Sequence, residues 1–143
     1  MKKLFALVLT AALLAALFTV GVSADYSELV DVLMSSEGVQ VSNRAQSPDL
    51  QALEEAIEEG TDRIPAECKL VPGRVSLMRS GDLSCDKPVY NITFKVWSTR
   101  SRTIALLFQA EGSDSWELVC CSQGEIIEGR FESSGSYAIV VGW

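Results

Sequence analysis

The chain contains no histidine. That absence excludes every mechanism built on an imidazole base, including the Ser-His-Asp and Cys-His arrangements of hydrolases, and it excludes His-ligated zinc. Basic residues are scarce too: 12 Lys and Arg stand against 19 Asp and Glu in 143 residues, a formal net charge of -7. Neutralising phosphates requires a basic face, so nucleic acid is not an expected partner. The sequence has no Cys-x-x-Cys redox pair, no long repeat and no second apolar run after the first. What remains is one domain's worth of chain.

The N-terminus sets the expected compartment. Met1-Lys2-Lys3 is followed by a stretch from Leu4 to Val22 that is apolar apart from Thr10, Thr19 and Gly21, and it ends in Val22-Ser23-Ala24. A short positive region, an apolar run and small residues before a cut read as a secretory signal peptide cleaved between Ala24 and Asp25. The alternative is an uncleaved anchor, because the run reaches the lower limit for spanning a bilayer. Either way the domain is secreted or held at the extracytoplasmic cell surface, and it meets the membrane only if the segment is retained. Losing Lys2 and Lys3 leaves a more acidic chain, which favours solubility and a cationic partner.

Residues 25–64 read as helical and residues 65–143 as a β domain. Leu29, Val30, Leu33 and Met34 fall on one face of a short amphipathic helix over Tyr26 to Met34. Ser35 to Gln46 is polar and turn-rich, with Val39 and Val41 able to form a brief strand around Gln40. Ser47-Pro48-Asp49 then supplies a cap, a first-turn proline and an acid at the positive end of the helix dipole. Leu50, Leu53 and Ile57 make the buried stripe of this second helix, and Gly60 closes it.

From Leu70 the periodicity becomes two. Val75 to Met78, Val89 to Trp97, Thr103 to Ala110, Ser115 to Cys121, Glu125 to Phe131 and Tyr137 to Val141 are β-branched and aromatic runs separated by turn residues. The expected fold is mainly β: an antiparallel, Ig-like β-sandwich of about six or seven strands, preceded by a short N-terminal α-helical segment. Tyr90, Ile92, Phe94 and Val96 alternate with Asn91, Thr93 and Lys95, as in a half-buried strand. Trp116, Leu118 and Cys120 alternate with Ser115, Glu117 and Val119, so Trp116 is expected to plug one end of the core. Ala105 to Phe108 and Ile139 to Val141 are apolar without alternation, so they read as central strands or as strands covered by the helices.

Ile92-Thr93-Phe94-Lys95-Val96, Trp116-Glu117-Leu118-Val119, and Phe131 to Ser136 closing on Ala138-Ile139-Val140-Val141 together resemble a known module. It is the small β-sandwich found near the C-terminus of many exported and wall-attached proteins of Gram-positive bacteria. The likeness covers about residues 70 to 143. It implies an extracytoplasmic accessory module and no defined reaction.

Cys68, Cys85, Cys120 and Cys121 all lie in the exported part, and an even count there favours two disulfides. A vicinal Cys120–Cys121 bridge is disfavoured because neighbouring strand residues point to opposite faces. The remaining connectivities pair Cys68 and Cys85 with Cys120 and Cys121 in either order. A four-cysteine zinc site lacks the usual pairs of closely spaced ligands. Glu54, Glu55, Glu58 and Glu59, with Asp62 behind them, read as a solvated helix face, since no calcium-type loop accompanies them. No metal or cofactor is therefore expected.

Trp97 stands on the polar side of its strand and leads into a loop containing Arg100 and Arg102, which makes these three the candidate ligand contacts. Asn91-Ile92-Thr93 matches a glycosylation acceptor but lies within a strand, and a bacterial chain would carry no sugar there. Asp82, Asp86, Asp114, Glu117 and Glu125 are the acids available to a carboxylate-based hydrolase, but they are scattered over turns and outward positions. The expected function is thus non-catalytic, in binding or structural assembly with an unknown protein or glycan partner outside the cytoplasm. A carbohydrate-binding module centred on Trp97 is the alternative.

Overall fold

A computed structural model describes residues 29–43, 48–60, 62, 70–71, 73–97 and 102–142. The apolar N-terminal run with the Ala24 and Asp25 junction, Cys68, Arg100 and Trp143 lie outside the described residues. The elements in chain order are β1 (Val30–Ser35), β2 (Gln40–Asn43), α1 (Leu50–Gly60), β3 (Val75–Ser84), β4 (Tyr90–Val96), β5 (Thr103–Ala110), β6 (Glu117–Gln123), β7 (Ile126–Phe131) and β8 (Gly135–Gly142). The strands form two antiparallel sheets, a three-stranded one in the order β1-β4-β7 and a five-stranded one in the order β2-β3-β8-β5-β6. The mainly β, sandwich-like fold is as expected, with eight strands among the described residues where about six or seven were expected.

The sheets face each other across a core to which β4 contributes Tyr90, Ile92, Phe94 and Val96, the set given by its alternation. Aromatic rings meet in that core, with Phe94 and Tyr137 centroids 5.2 Å apart and Phe108 and Phe131 centroids 4.9 Å apart. A second apolar layer lies on the other face of the five-stranded sheet. There Leu53, Ala56 and Ile57 of α1 pack with Ala105 and Leu107 of β5, Ala138 and Val140 of β8, and Trp116. Burial on both faces explains the unbroken apolar runs of β5 and β8. Each fully buried Leu or Ile side chain contributes about 1.5–3 kcal/mol relative to exposure.

The start of α1 is secured by Asp49, whose Oδ1 accepts from Gln51 N at 3.1 Å and whose carbonyl accepts from Leu53 N. At the other end the helix approaches β6 closely. A Cβ on Gly60 would stand 2.8 Å from the Cβ of Leu118, so a side chain there would push the helix off the sheet.

Two expectations are corrected. The part of Tyr26 to Met34 that is described is no helix: Val30–Ser35 is a strand paired with β4, and Gln40–Asn43 is paired with β3. The segment 25–64 therefore supplies one edge strand to each sheet as well as α1. Short apolar runs satisfy both periods, and here pairing with a distant strand decides. The second correction concerns β6. Leu106 pairs with Cys120 but Leu107 pairs with Leu118, so Val119 is an extra, bulged residue. The bulge reverses the alternation: Leu118 and Cys121 pack toward α1, while Val119 and Cys120 pack toward the core between the sheets.

Candidate functional site

The outer faces of the two sheets differ. Helix α1 covers much of the five-stranded sheet, whereas the three-stranded sheet leaves exposed Met34, Trp97 and Ile126 at 72%, 44% and 52% of full accessibility. Register places Asp31 beside Lys95, and Lys95 beside Ile126, across this face. Thr93 stands beside Glu128 and Asn91 beside Arg130 in the rows that follow.

Trp97, immediately after β4, is fixed in this surface by three contacts. Its backbone N–H donates to Leu29 O at 2.7 Å, and its indole Nε1–H donates to Asp31 Oδ2 at 2.7 Å. The Lys95 ammonium lies 3.7 Å from the ring centroid, a cation–π contact that occupies one side of the indole. Of the three candidate contacts, Arg100 lies outside the described residues and Arg102 is half-buried just before β5. The partners that the structure gives Trp97 are Asp31 and Lys95. Lys95 was legible, since residues two apart on a strand share a face. Asp31 was hidden by the helical reading of its segment.

Two shallow clefts open elsewhere. One, about 390 Å³, is lined by Asp82, Gln109, Glu111, Ser113, Ser134 and Ser136. In it Ser136 Oγ donates to Asp82 Oδ1 at 2.9 Å. A carboxylate is a poor base for an aliphatic hydroxyl, and none of the described residues lining this cleft is a stronger one. The other, about 470 Å³, lies between β6 and β7 and includes Glu117, Arg130 and Glu132. The five candidate acids are thus not brought together: Asp82 and Glu117 line different clefts, and Asp86, Asp114 and Glu125 lie outside strands.

The cysteines correct the expected bridging. No disulfide joins any two of Cys85, Cys120 and Cys121. Both expected connectivities require Cys85 to reach one of the two neighbours on β6. Cys85 follows β3, however, and β8 and β5 stand between β3 and β6. Three inter-strand spacings amount to about 14 Å, well beyond the Cα separation that a bridge tolerates. Cys120 instead directs its thiol to Glu128 O at 3.1 Å, and Cys85 Sγ accepts from Lys87 N at 3.5 Å. Among the described residues no group of three or more Cys, Asp or Glu is placed to hold a metal ion.

Between the sheets, near β1 and β2, lies a polar corner. Arg79 Nε donates to Asn43 Oδ1 at 2.6 Å, and Arg79 Nη1 donates to Val30 O at 3.0 Å. The same guanidinium lies 5.9 Å from the centroid of the Tyr137 ring. Tyr137 Oη is buried and has no hydrogen-bond partner among the described residues. Burial raises its pKa above the ordinary tyrosine value, against the opposing pull of the Arg79 charge, which stands near without hydrogen-bond geometry. Tyr90, whose hydroxyl donates to Ser133 O at 2.6 Å, has its pKa pushed up to about 12, first by burial and then by Cys85.

Compared with known protein families, curated proteins and solved structures, the chain matches none.

Proposed function

We propose that the chain is an exported, non-catalytic β-sandwich module that acts by binding or structural assembly through the outer face of its three-stranded sheet. One observation carries this reading: helix α1 covers the other sheet, while Met34, Trp97 and Ile126 stand exposed among Asp31, Lys95, Glu128 and Arg130. Exposed apolar residues rimmed by charges are the usual mark of a protein contact surface. The signal-peptide pattern of residues 1–24 and the resemblance over residues 70 to 143 support an extracytoplasmic setting. The absence of histidine and the scattering of the acids support a role without chemistry.

The test is co-isolation from the producing cells. An Ile126→Asp chain should lose the companion that the unaltered protein brings with it, and a Glu58→Lys chain, altered on α1, should keep it. Retention of the companion by Ile126→Asp and its loss from Glu58→Lys would move the contact to the helix.

Glycan binding is the second reading, and the exposure of Trp97 favours it. Lys95 over one ring face limits a sugar to the other. Titration with cell-wall and plant glycans should then quench or shift the tryptophan fluorescence, and the change should vanish in Trp97→Phe.

A further inference from the structure

Edge strand β1 presents backbone to solvent beside exposed apolar side chains. Val32, Leu33 and Met34 are 36%, 48% and 72% exposed, and the strand contains no lysine or proline of the kind that blunts sheet edges. Among the described residues β1 pairs only with β4. Successive residues of an antiparallel strand turn their N–H and C=O alternately toward the partner and away from it. Trp97 N donates to Leu29 O, whereas Val96 N donates to Glu125 O on the β7 side. Val30 is the partner of Val96, so it turns its carbonyl away from β4, toward the outer edge. The same alternation turns the backbone of Val32 outward. Beyond Val32 the register shifts, with Leu33 as the extra residue before Met34.

The Val30 carbonyl is already taken. Arg79 reaches it from β3 at 3.0 Å and is anchored on β2 by Asn43 at 2.6 Å. A half-buried guanidinium ordinarily pairs with a carboxylate, and among the described residues Arg79 has none within salt-bridge distance. Nor does it satisfy the neighbouring Tyr137 hydroxyl. Its hydrogen bonds go to the edge carbonyl and to the strand beside it. With Val30 O capped, and with the outward groups of Val32 and Ser35 thrown out of step by the extra residue Leu33, an incoming strand finds no regular row of partners along this edge.

We propose that Arg79 and the Leu33 bulge form an edge guard that stops β1 from pairing with the β1 of a second copy. The identical strand is the occupant kept out. Antiparallel self-pairing would set the Val32–Met34 runs of two copies against each other and join two three-stranded sheets across a two-fold axis.

Two variants test this in the protein isolated from its producing cells, at moderate salt so that the acidic net charge does not itself keep copies apart. Arg79→Met keeps the bulk of the stem and removes the cap, and deletion of Leu33 removes the bulge while Arg79 stays. Sedimentation velocity should show the unaltered chain as a monomer at every concentration and each variant shifting to dimer as concentration rises. In the dimer the Val32 amide should exchange about tenfold more slowly. The proposal is overturned if folded Arg79→Met stays monomeric, if a variant dimer leaves Val32 unprotected, or if the unaltered chain already dimerises through Val32. Should Arg79→Met fail to fold, the Leu33 deletion alone decides: a monomer overturns the proposal, and a dimer protected at Val32 supports it.

Discussion

Tyr137 shows how a single residue can be placed by shape at the expense of its polar group. Its ring stacks on Phe94 in the centre of the core, and its hydroxyl goes unsatisfied. An unpaired buried hydroxyl forfeits its bonds to water, so Tyr137→Phe should leave stability unchanged or raise it by about 1 kcal/mol. Chemical denaturation will show this as a higher midpoint at unchanged slope, and a marked loss of stability would mean that the hydroxyl has a partner after all. Tyr90 makes a pH prediction. Its folded pKa of about 12 lies above the ordinary value of 10.0, so the folded state holds a proton that the unfolded chain releases. The stability it contributes is fully present below pH 10 and is lost as pH rises toward 12. Tyr137 shifts in the same direction and adds to the loss. Denaturation midpoints should therefore fall across that window in the unaltered protein, and fall less steeply in Tyr90→Phe.

At the scale of elements, the strands from β4 onward were legible because each carries its period within a few residues. Tyr90, Ile92, Phe94 and Val96 alternate, and β5 and β8 announce double burial by having no alternation. Three features were not legible, because each depends on a partner remote in sequence. The run Leu29, Val30, Leu33, Met34 suits a helix, and only pairing with β4 makes it a strand. Strand β3 runs on through Arg79, Ser80, Gly81 and Asp82, which look like a turn. Gly81 belongs there because a Cβ would strike the carbonyl of Ser42 on β2. The Val119 bulge has no mark in the sequence, yet it sends Cys120 and Cys121 to faces opposite to those given by simple alternation. Helix α1 was readable in part: Ser47, expected as its cap, lies outside the described residues and Asp49 caps the helix; Leu50 of the expected stripe is exposed, and the docking rests on Leu53 and Ile57, both fully buried. Ile57→Ala should cost about 2–4 kcal/mol in denaturant unfolding. A cost well under 1 kcal/mol would mean that the helix is not seated on the five-stranded sheet in solution.

For the whole molecule, the described residues on both sides of residue 65 share the same two sheets. The segment before it was expected to stand as a helical preface, and it is built into the domain, closing one side of the sandwich with β1 and β2 and covering one sheet with α1. The candidate site was half legible. Trp97 and Lys95 share the polar side of β4 in the sequence itself, but the bare sheet around them follows from which sheet the helix covers. That choice is made by Ala105, Leu107, Ala138 and Val140, a small-and-branched surface that fits a helix, against the larger and charged residues outside the other sheet. The central claim is that this bare sheet is the contact surface. Its most direct measurement is hydroxyl-radical footprinting of the protein in extracts of its producing cells, compared with the purified chain. We predict protection of Met34, Trp97 and Ile126 in the extract, with the outer residues of α1 reacting equally in both states. Undiminished reactivity at those three residues, with protection along α1 or at the Asp82 cleft, would contradict the account.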